Sequence, residues 1–285
     1  RSKEKMKEIF KIVIKKFVKN FVVIANTNRI GRYITEYLAK YIFEQKRNIN
    51  YKNIKLAFYS PNRLNKFRID TFSSKEPETL SWIEKFNRDS IYWDIGANIG
   101  LYSCYAAKLK NCKVYAFEPS IFNLEILTKN VFLNQLSNNI TIVPFPLTNK
   151  LKETEFKMTS IDWGGSLSTF GEDYKYDGSK LKKKFNYKML GLSMNDCVNI
   201  LKMKQPDYIK MDVDGIEHLI LEGGNQILKK TKSILVEIDD SFTMQVENTK
   251  KYLIQAGFKL AEKKHSDLVE KSKFKSVFNQ IWERN

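Results

Sequence analysis

The sequence predicts an α/β domain in which a parallel sheet is covered by helices on both faces, a doubly wound arrangement. Five short apolar runs, Ile91–Ile95, Val114–Phe117, Ile140–Val143, Tyr208–Val213 and Ile234–Ile238, have the length and composition of buried strands. Helical stretches at Leu101–Leu109, Asn123–Leu133, Ile216–Leu228 and roughly Glu247–Ala256 separate several of them. The first run also passes directly into a glycine-bearing turn that opens a helix.

In chain order, the opening reads as two helices. Met6, Phe10, Val13, Phe17, Phe21 and Ile24 recur at steps of three and four, with Lys5, Lys11, Lys15 and Lys19 off that stripe. A second stripe runs through Ile30, Tyr33 or Ile34, Tyr37 or Leu38, and Tyr41 or Ile42. Two readings stay open for this start: contact of residues 6–24 with an anionic membrane surface, or packing on the main domain or on a second subunit of a homo-oligomer. Short β-prone runs between Ile54 and Phe72 predict a hairpin turning at Ser60-Pro61-Asn62, followed by a short helix from Pro77 to Phe86. Residues 1–88 are therefore expected to form a helical extension with a hairpin and short helix, and residues 89–285 the α/β domain. Gly257 is a plausible stop for the last helix, and Phe274 to Trp282 predicts one more strand at or near a sheet edge.

The chain has 285 residues, 42% of them hydrophobic, with 12 Gly and 6 Pro, which excludes disordered and collagen-like classes. The uncharged stretch from Asn20 to Asn28 is about half of the ~20 residues a spanning helix needs, and no small-residue cleavage site follows it. Three cysteines and two histidines fit neither a disulfide scaffold nor a structural zinc site, so a reducing cytoplasm, with contact to the membrane periphery, is the expected setting. The net charge is +17, yet only 8 of 49 basic residues are Arg and Lys is spread throughout. Nucleic-acid footprints tend to cluster and to favour Arg, so nucleic acid is not the expected partner.

The segment Asp94-Ile95-Gly96-Ala97-Asn98-Ile99-Gly100 carries the first chemistry. Gly96 would let backbone approach a ligand, and Gly100 would let the helix pack near the strand. Glu118, 24 residues after Asp94, ends the next strand, where a carboxylate can accept both ribose hydroxyls. A dinucleotide fingerprint needs G-x-G-x-x-G against a pyrophosphate, whereas this spacing is G-x-x-x-G with Asp94 just before it. A phosphate-free, cationic nucleoside fits better, and S-adenosyl-L-methionine, leaving as S-adenosyl-L-homocysteine, has that chemistry.

Tyr92 to Tyr102, Ala116-Phe117-Glu118-Pro119-Ser120 with Asn123, Pro206 to Glu217 and Leu235-Val236-Glu237-Ile238 together resemble the FkbM family of S-adenosylmethionine-dependent methyltransferases. The similarity runs from about Arg68 to Trp282 and includes Lys75-Glu76-Pro77-Glu78-Thr79 and Asn279-Gln280-Ile281-Trp282. Asp214 stands where many members have glutamate, and Pro146 where alanine is common. The resemblance implies a class I Rossmann-like sheet of about seven strands, mostly parallel. It also implies methyl transfer to a hydroxyl oxygen of a sugar in a glycolipid, polysaccharide or related alcohol. By motif position, Asp94, Gly96, Ala97, Asn98 and Gly100 would hold the methionine part, Glu118 the ribose, and Pro146 and Leu147 the adenine.

Methyl transfer to an alcohol needs in-line alignment and loss of a proton, so a base at the carboxyl ends of the strands is expected. Asp212 is the first candidate and Glu237 the second; no spacing demands a metal, and none is assigned. Asp214-Gly215-Ile216-Glu217 reads as a capping pattern with Asp214 at the N-cap, and His218 as a surface or core residue. The loop-like stretch Ser160 to Gly178, with Trp163 and Ser166, is expected to touch the sugar. Competing readings are a nucleic-acid methyltransferase and a catalytically inactive membrane- or subunit-binding module.

Overall fold

The computed structural model describes residues 2–270 and 272–284 (backbone only at 2–5 and 7), and the chain divides into two compact units, Arg1–Lys46 and Arg47–Asn285. The first is a helical pair, α1 (Ser2–Ala25) and α2 (Arg29–Phe43). The Asn28 side chain accepts the Gly31 amide at 2.8 Å and so caps the start of α2. Phe10, Phe17, Ile30 and Tyr33 are all exposed, and α2 buries none of its residues.

The second unit opens with a hairpin, β1 (Lys46–Tyr51) and β2 (Ile54–Tyr59). Its turn is Lys52-Asn53, not Ser60-Pro61-Asn62 as the sequence predicts. Both turn residues have positive φ, +44° and +67°, the requirement of a two-residue primed turn. Asn62 instead caps α3 (Arg63–Asp70), accepting the Asn65 amide at 2.8 Å. Then come α4 (Phe72–Lys75), α5 (Pro77–Glu84), β3 (Ile91–Ile95), α6 (Leu101–Lys110), β4 (Lys113–Phe117), α7 (Ile121–Leu133) and β5 (Ile140–Val143). Asn130 and its neighbour Asn134 accept the Tyr59 and Ala57 amides at 2.8 and 2.9 Å, so side-chain amides satisfy the free edge of β2.

Three further strands, β6 (Lys152–Met158), β7 (Ser168–Phe170) and β8 (Phe185–Gly191), form a separate antiparallel sheet in the order β7-β6-β8. The sequence reading has a loop-like stretch at Ser160 to Gly178, which holds β7, and assigns no strand at β6 or β8, whose residues lack strict alternation. After α8 (Met194–Asn199) the chain returns through β9 (Tyr208–Met211), α9 (Glu217–Glu222), α10 (Asn225–Leu228), β10 (Ser233–Asp239), α11 (Thr243–Gln255), β11 (Lys259–Lys264), α12 (Asp267–Glu270) and β12 (Val277–Glu283).

The main sheet has seven strands in the order β11-β12-β10-β9-β3-β4-β5. The strands from β10 to β5 are parallel, and β12 runs antiparallel between β10 and β11. Strand order reverses between β3 and β9, which pair with Ile95 opposite Met211. That reversal opens a crevice beyond the carboxyl ends of both strands. Trp93, Phe117, Ile209, Met211 and Val236, fully buried beneath it, give the crevice a rigid floor. Among the described residues no helix is long and apolar enough to cross a membrane.

Candidate active site

A cleft of about 310 Å³ occupies the crevice, within the ordinary range for small-molecule sites. Gly96, Asn98, Glu118, Pro146, Leu147, Ser166, Asp212 and Glu237 all line it. Ala97 lines a smaller cavity alongside, shared with Gly96, Asn98 and Asp212. Asp94, Gly100 and Trp163 are not on either wall. Asp94 is 1% exposed, takes a hydrogen bond from Ser103 Oγ, and is pushed up by its burial.

The glycine turn also answers a packing requirement of the fold. A Cβ on Gly96 would lie 1.9 Å from the Asp212 carbonyl oxygen, and its φ is +88°. Close approach is thus to the end of β9, not only to a ligand. At Gly100, with φ +83°, a Cβ would strike Leu127 of α7 at 2.5 Å, so this glycine serves helix packing.

Glu118 is held by the Asn98 amide on Oε2 at 2.9 Å and by the Ser120 amide on Oε1 at 2.7 Å. Burial pushes it up to about 8 despite those bonds. Phe145, Pro146 and Leu147, just beyond β5, add an apolar wall nearby.

Across the cleft stands a cluster that sequence reasoning found only in part. Asp212 and Glu237 are joined by Glu76, and oxygens of all three carboxylates lie within 4.8 Å of one another. Lys75 Nζ is 2.6 Å from Glu76, and Lys210 Nζ is 3.0 Å from Asp212 and 3.7 Å from Glu76. Lys210 is 1% exposed, so these ion pairs are what allow its charge to be buried. Burial works to raise Asp212, but the Lys210 and Lys75 ammoniums outweigh it and hold Asp212 below the usual carboxylate range. Glu237 is pushed well above it, by burial and then by the Asp212 charge. Their environments thus drive the two carboxyls apart, Asp212 toward the ionised form and Glu237 toward the protonated one.

Arg68, Lys75, Glu76, Glu78, His265 and Asn279 line the cleft and were not assigned as site residues from the sequence. For Lys75, Glu76, Glu78 and Asn279 the signal was present in the Lys75-Glu76-Pro77-Glu78-Thr79 and Asn279-Gln280-Ile281-Trp282 motifs, the first before the sheet and the second within β12, which meet at the cleft: Asn279 Nδ2 donates to Glu78 at 2.7 Å.

The capping expectation is corrected. Helix α9 starts at Glu217 with Ile216 at its cap position, not Asp214. Asp214 has φ +63° and accepts the Leu167 and Ser168 amides at 2.6 and 3.3 Å, tying the loop before β7 to the end of β9. Glu217 accepts the Val213 and Gly215 amides, each at 3.1 Å, and a Gln245 amide hydrogen, which keeps it structural. His218 is buried against Phe242, away from the cleft walls.

The loop around Trp163 is sewn down by five side chains. Asn62 and Asn65 donate to the Trp163 carbonyl at 2.9 and 3.2 Å, Arg68 Nε donates to Gly164 O at 2.8 Å, and Asn98 and Asn123 donate to Gly165 O at 2.8 and 3.1 Å. Ser166 is thereby held at the wall, while Trp163 contributes its backbone.

A seven-stranded sheet with one antiparallel strand next to its edge, and a cleft at its switch point, defines a class I Rossmann-like methyltransferase fold. The chain belongs to the Methyltransferase FkbM domain family, which matches residues 94–260. It is 26% identical over 156 residues to the hexuronic acid methyltransferase AglP of Haloferax volcanii, a match covering 55% of this chain and 59% of that one. The methyltransferase FkbM structure from Methylobacillus flagellatus superposes with a TM-score of 0.50 at 13% identity, over 77% of this chain and 52% of that chain. The matches thus span about half to three fifths of those relatives' lengths. Residues 94–260 are accordingly a methyltransferase FkbM domain.

Proposed function

We propose that the protein transfers the methyl group of S-adenosyl-L-methionine to a hydroxyl oxygen of a sugar. The observation that carries this reading is that Glu118, suited to a ribose, and the Asp212–Glu237 pair, suited to an alcohol, share one cleft. When bound, the sulfonium supplies an electrophilic methyl: the S–CH₃ bond breaks as the O–CH₃ bond forms, leaving a neutral thioether. Glu118 accepts the ribose hydroxyls and the Phe145-Pro146-Leu147 wall flanks the adenine. Asp212, ionised, accepts the hydrogen of the acceptor hydroxyl and takes that proton as the ether forms. A weakly basic carboxylate suffices, because a protonated ether is a far stronger acid than a carboxylic acid. Glu237, whose burial and Asp212 neighbour favour its protonated form, limits the negative charge in the site. The cleft also argues against a polyanionic acceptor: Arg68 and Lys75 face Glu76, Glu78, Glu118, Asp212, Asp214 and Glu237 on its walls. The Haloferax volcanii relative, a hexuronic acid methyltransferase, supports a sugar acceptor.

The test is incubation of the full chain with methyl-labelled S-adenosylmethionine and fractionated glycolipid and polysaccharide extracts. Alkali-stable label in a glycan fraction is expected; transfer to RNA alone, or no binding of S-adenosylhomocysteine by calorimetry, overturns the reading.

Residues 2–43 support a second element. They carry ten basic and three acidic residues, with apolar side chains exposed on both helices. Charge complementarity favours an anionic membrane surface as their partner, which would bring the site to lipid-linked acceptors.

A further inference from the structure

Three basic side chains line the cleft and the small cavity beside it: Arg68, Lys75 and Lys210. Two of them are committed. Lys75 is paired with Glu76 at 2.6 Å, and Lys210 with Asp212 at 3.0 Å. Arg68 differs. Its Nε donates to the Gly164 carbonyl at 2.8 Å, and among the described residues no carboxylate oxygen lies within 4.0 Å of its guanidinium. The single bond at Nε fixes the plane of the group and leaves the two terminal nitrogens side by side, the fork that matches a carboxylate. Arg68 feels the more distant Glu118 and Asp214 charges, but a half-buried guanidinium on a cavity wall with no carboxylate in contact leaves its terminal nitrogens open to a ligand anion.

Position selects which anion. Arg68 borders both cavities, together with Gly96 and Asn98, so it stands at the glycine turn rather than at the apolar adenine wall. The proposed donor carries three charges on its amino-acid end: a sulfonium, an ammonium and a carboxylate. Glu76, Asp212 and Asp214 suit the two cations, and of the lysine and arginine side chains on these walls Arg68 alone is outside an ion pair and so suits the carboxylate.

We propose that Arg68 is the receptor for the donor's carboxylate, a binding residue supplied by α3, outside the span 94–260 that defines the family match. Arg68 then has two tasks in one side chain: Nε holds the Gly164 loop over the cleft, and the terminal nitrogens hold the ligand. Donor binding and the placement of that loop are thereby coupled. This inference rests on the donor proposed above.

The experiment is calorimetric titration of the full chain with S-adenosylhomocysteine and with decarboxylated S-adenosylmethionine and 5′-methylthioadenosine, which lack the carboxylate. The wild-type protein should bind S-adenosylhomocysteine ~10-fold or more tightly than either carboxylate-free ligand, as charge-assisted hydrogen bonds require. Arg68→Gln should weaken S-adenosylhomocysteine by ~10- to 100-fold while leaving the other two within ~2-fold, and Arg68→Lys should recover part of the loss. Equal affinity of the wild type for all three ligands overturns the proposal. So does an equal loss for all three in Arg68→Gln, which would mean that only the loop was disturbed. Unchanged S-adenosylhomocysteine affinity with a raised KM for the acceptor also overturns it, placing the anion on the acceptor. Failure of the wild type to bind any of the three instead defeats the donor assignment itself.

Discussion

Replacing Gly96 by alanine tests the contact on which the cleft is built. The new Cβ would stand 1.9 Å from the Asp212 carbonyl oxygen and 2.9 Å from its carbon, with φ at +88°. A non-glycine residue in the left-handed region costs ~1–2 kcal/mol. The overlap is with backbone at the end of a fully buried strand, so no side chain can rotate away, and overpacking of this kind adds ~1–3 kcal/mol. The expected destabilisation is ~2–5 kcal/mol, read from urea unfolding of the full chain. Relief of the clash also moves Asp212, and a displacement of about an ångström at a reacting group costs ~100-fold in rate. Gly171→Ala is the internal control. Gly171 has a similar φ of +81°, but a Cβ there would meet the Thr154 methyl at 3.1 Å and the flexible Lys152 ammonium. That variant should lose only the ~1–2 kcal/mol of the backbone conformation, with turnover retained. Equal losses at the two positions, or a Gly96→Ala protein as stable as wild type, would refute the claim that the glycine turn rests on β9.

Asp212→Asn should lower kcat by ~100-fold or more at pH 7, whereas Glu237→Gln, which mimics the protonated carboxyl, should keep it within ~3-fold; the reverse ranking in a steady-state pH profile would reassign the base. Ligand-free stability should fall between pH 5 and 8. Burial keeps the proton on Asp214 to about 6, on Glu217 to about 7 and on Glu118 to about 8, while the unfolded chain loses those protons near pH 4. The folded protein then binds more protons than the unfolded one, so stability drops by up to ~1.4 kcal/mol per pH unit for each group until its folded pKa is passed. Asp212 has the opposite sign, but its contribution is lost only below pH 4. Thermal melts that rise from pH 5 to 8, or a slope unchanged by Glu118→Gln, would contradict this. Residues 2–43 should carry the chain to the top of a flotation gradient with vesicles containing ~30% phosphatidylserine, each basic residue near the surface contributing ~1 kcal/mol, and 0.5 M salt should release it; equal flotation with neutral vesicles would count against an anionic surface.

How far the sequence could be read follows from where each element draws its stability. The parallel strands were legible because burial on both faces demands unbroken apolar runs, as in Ile234–Ile238 with every residue buried except Glu237. Glu118 and Asp212 were legible because strand ends at a switch point are fixed by topology alone. The turn at Lys52-Asn53 was hidden because neither residue is glycine, although Asn tolerates positive φ. The antiparallel trio β6, β7 and β8 was hidden because β7 is only three residues long and β6 and β8 are largely half-exposed without a clean apolar alternation, so tertiary pairing rather than pattern makes them strands. Partners of the cleft carboxylates were the deepest omission. Lys210 reads as an interruption in an apolar strand, and its meaning comes only from Glu76, 134 positions away and 3.7 Å distant. A lysine in the middle of a buried parallel strand is nonetheless a signal in its own right. Its ammonium cannot be buried unpaired, so the sequence already required carboxylates to converge on it. Lys75-Glu76-Pro77-Glu78, lying before the sheet and outside the helix–strand rhythm, was the segment with acids to spare. The charge balance of the core, taken as a constraint, would have led from Lys210 to Glu76 and so to the full cluster.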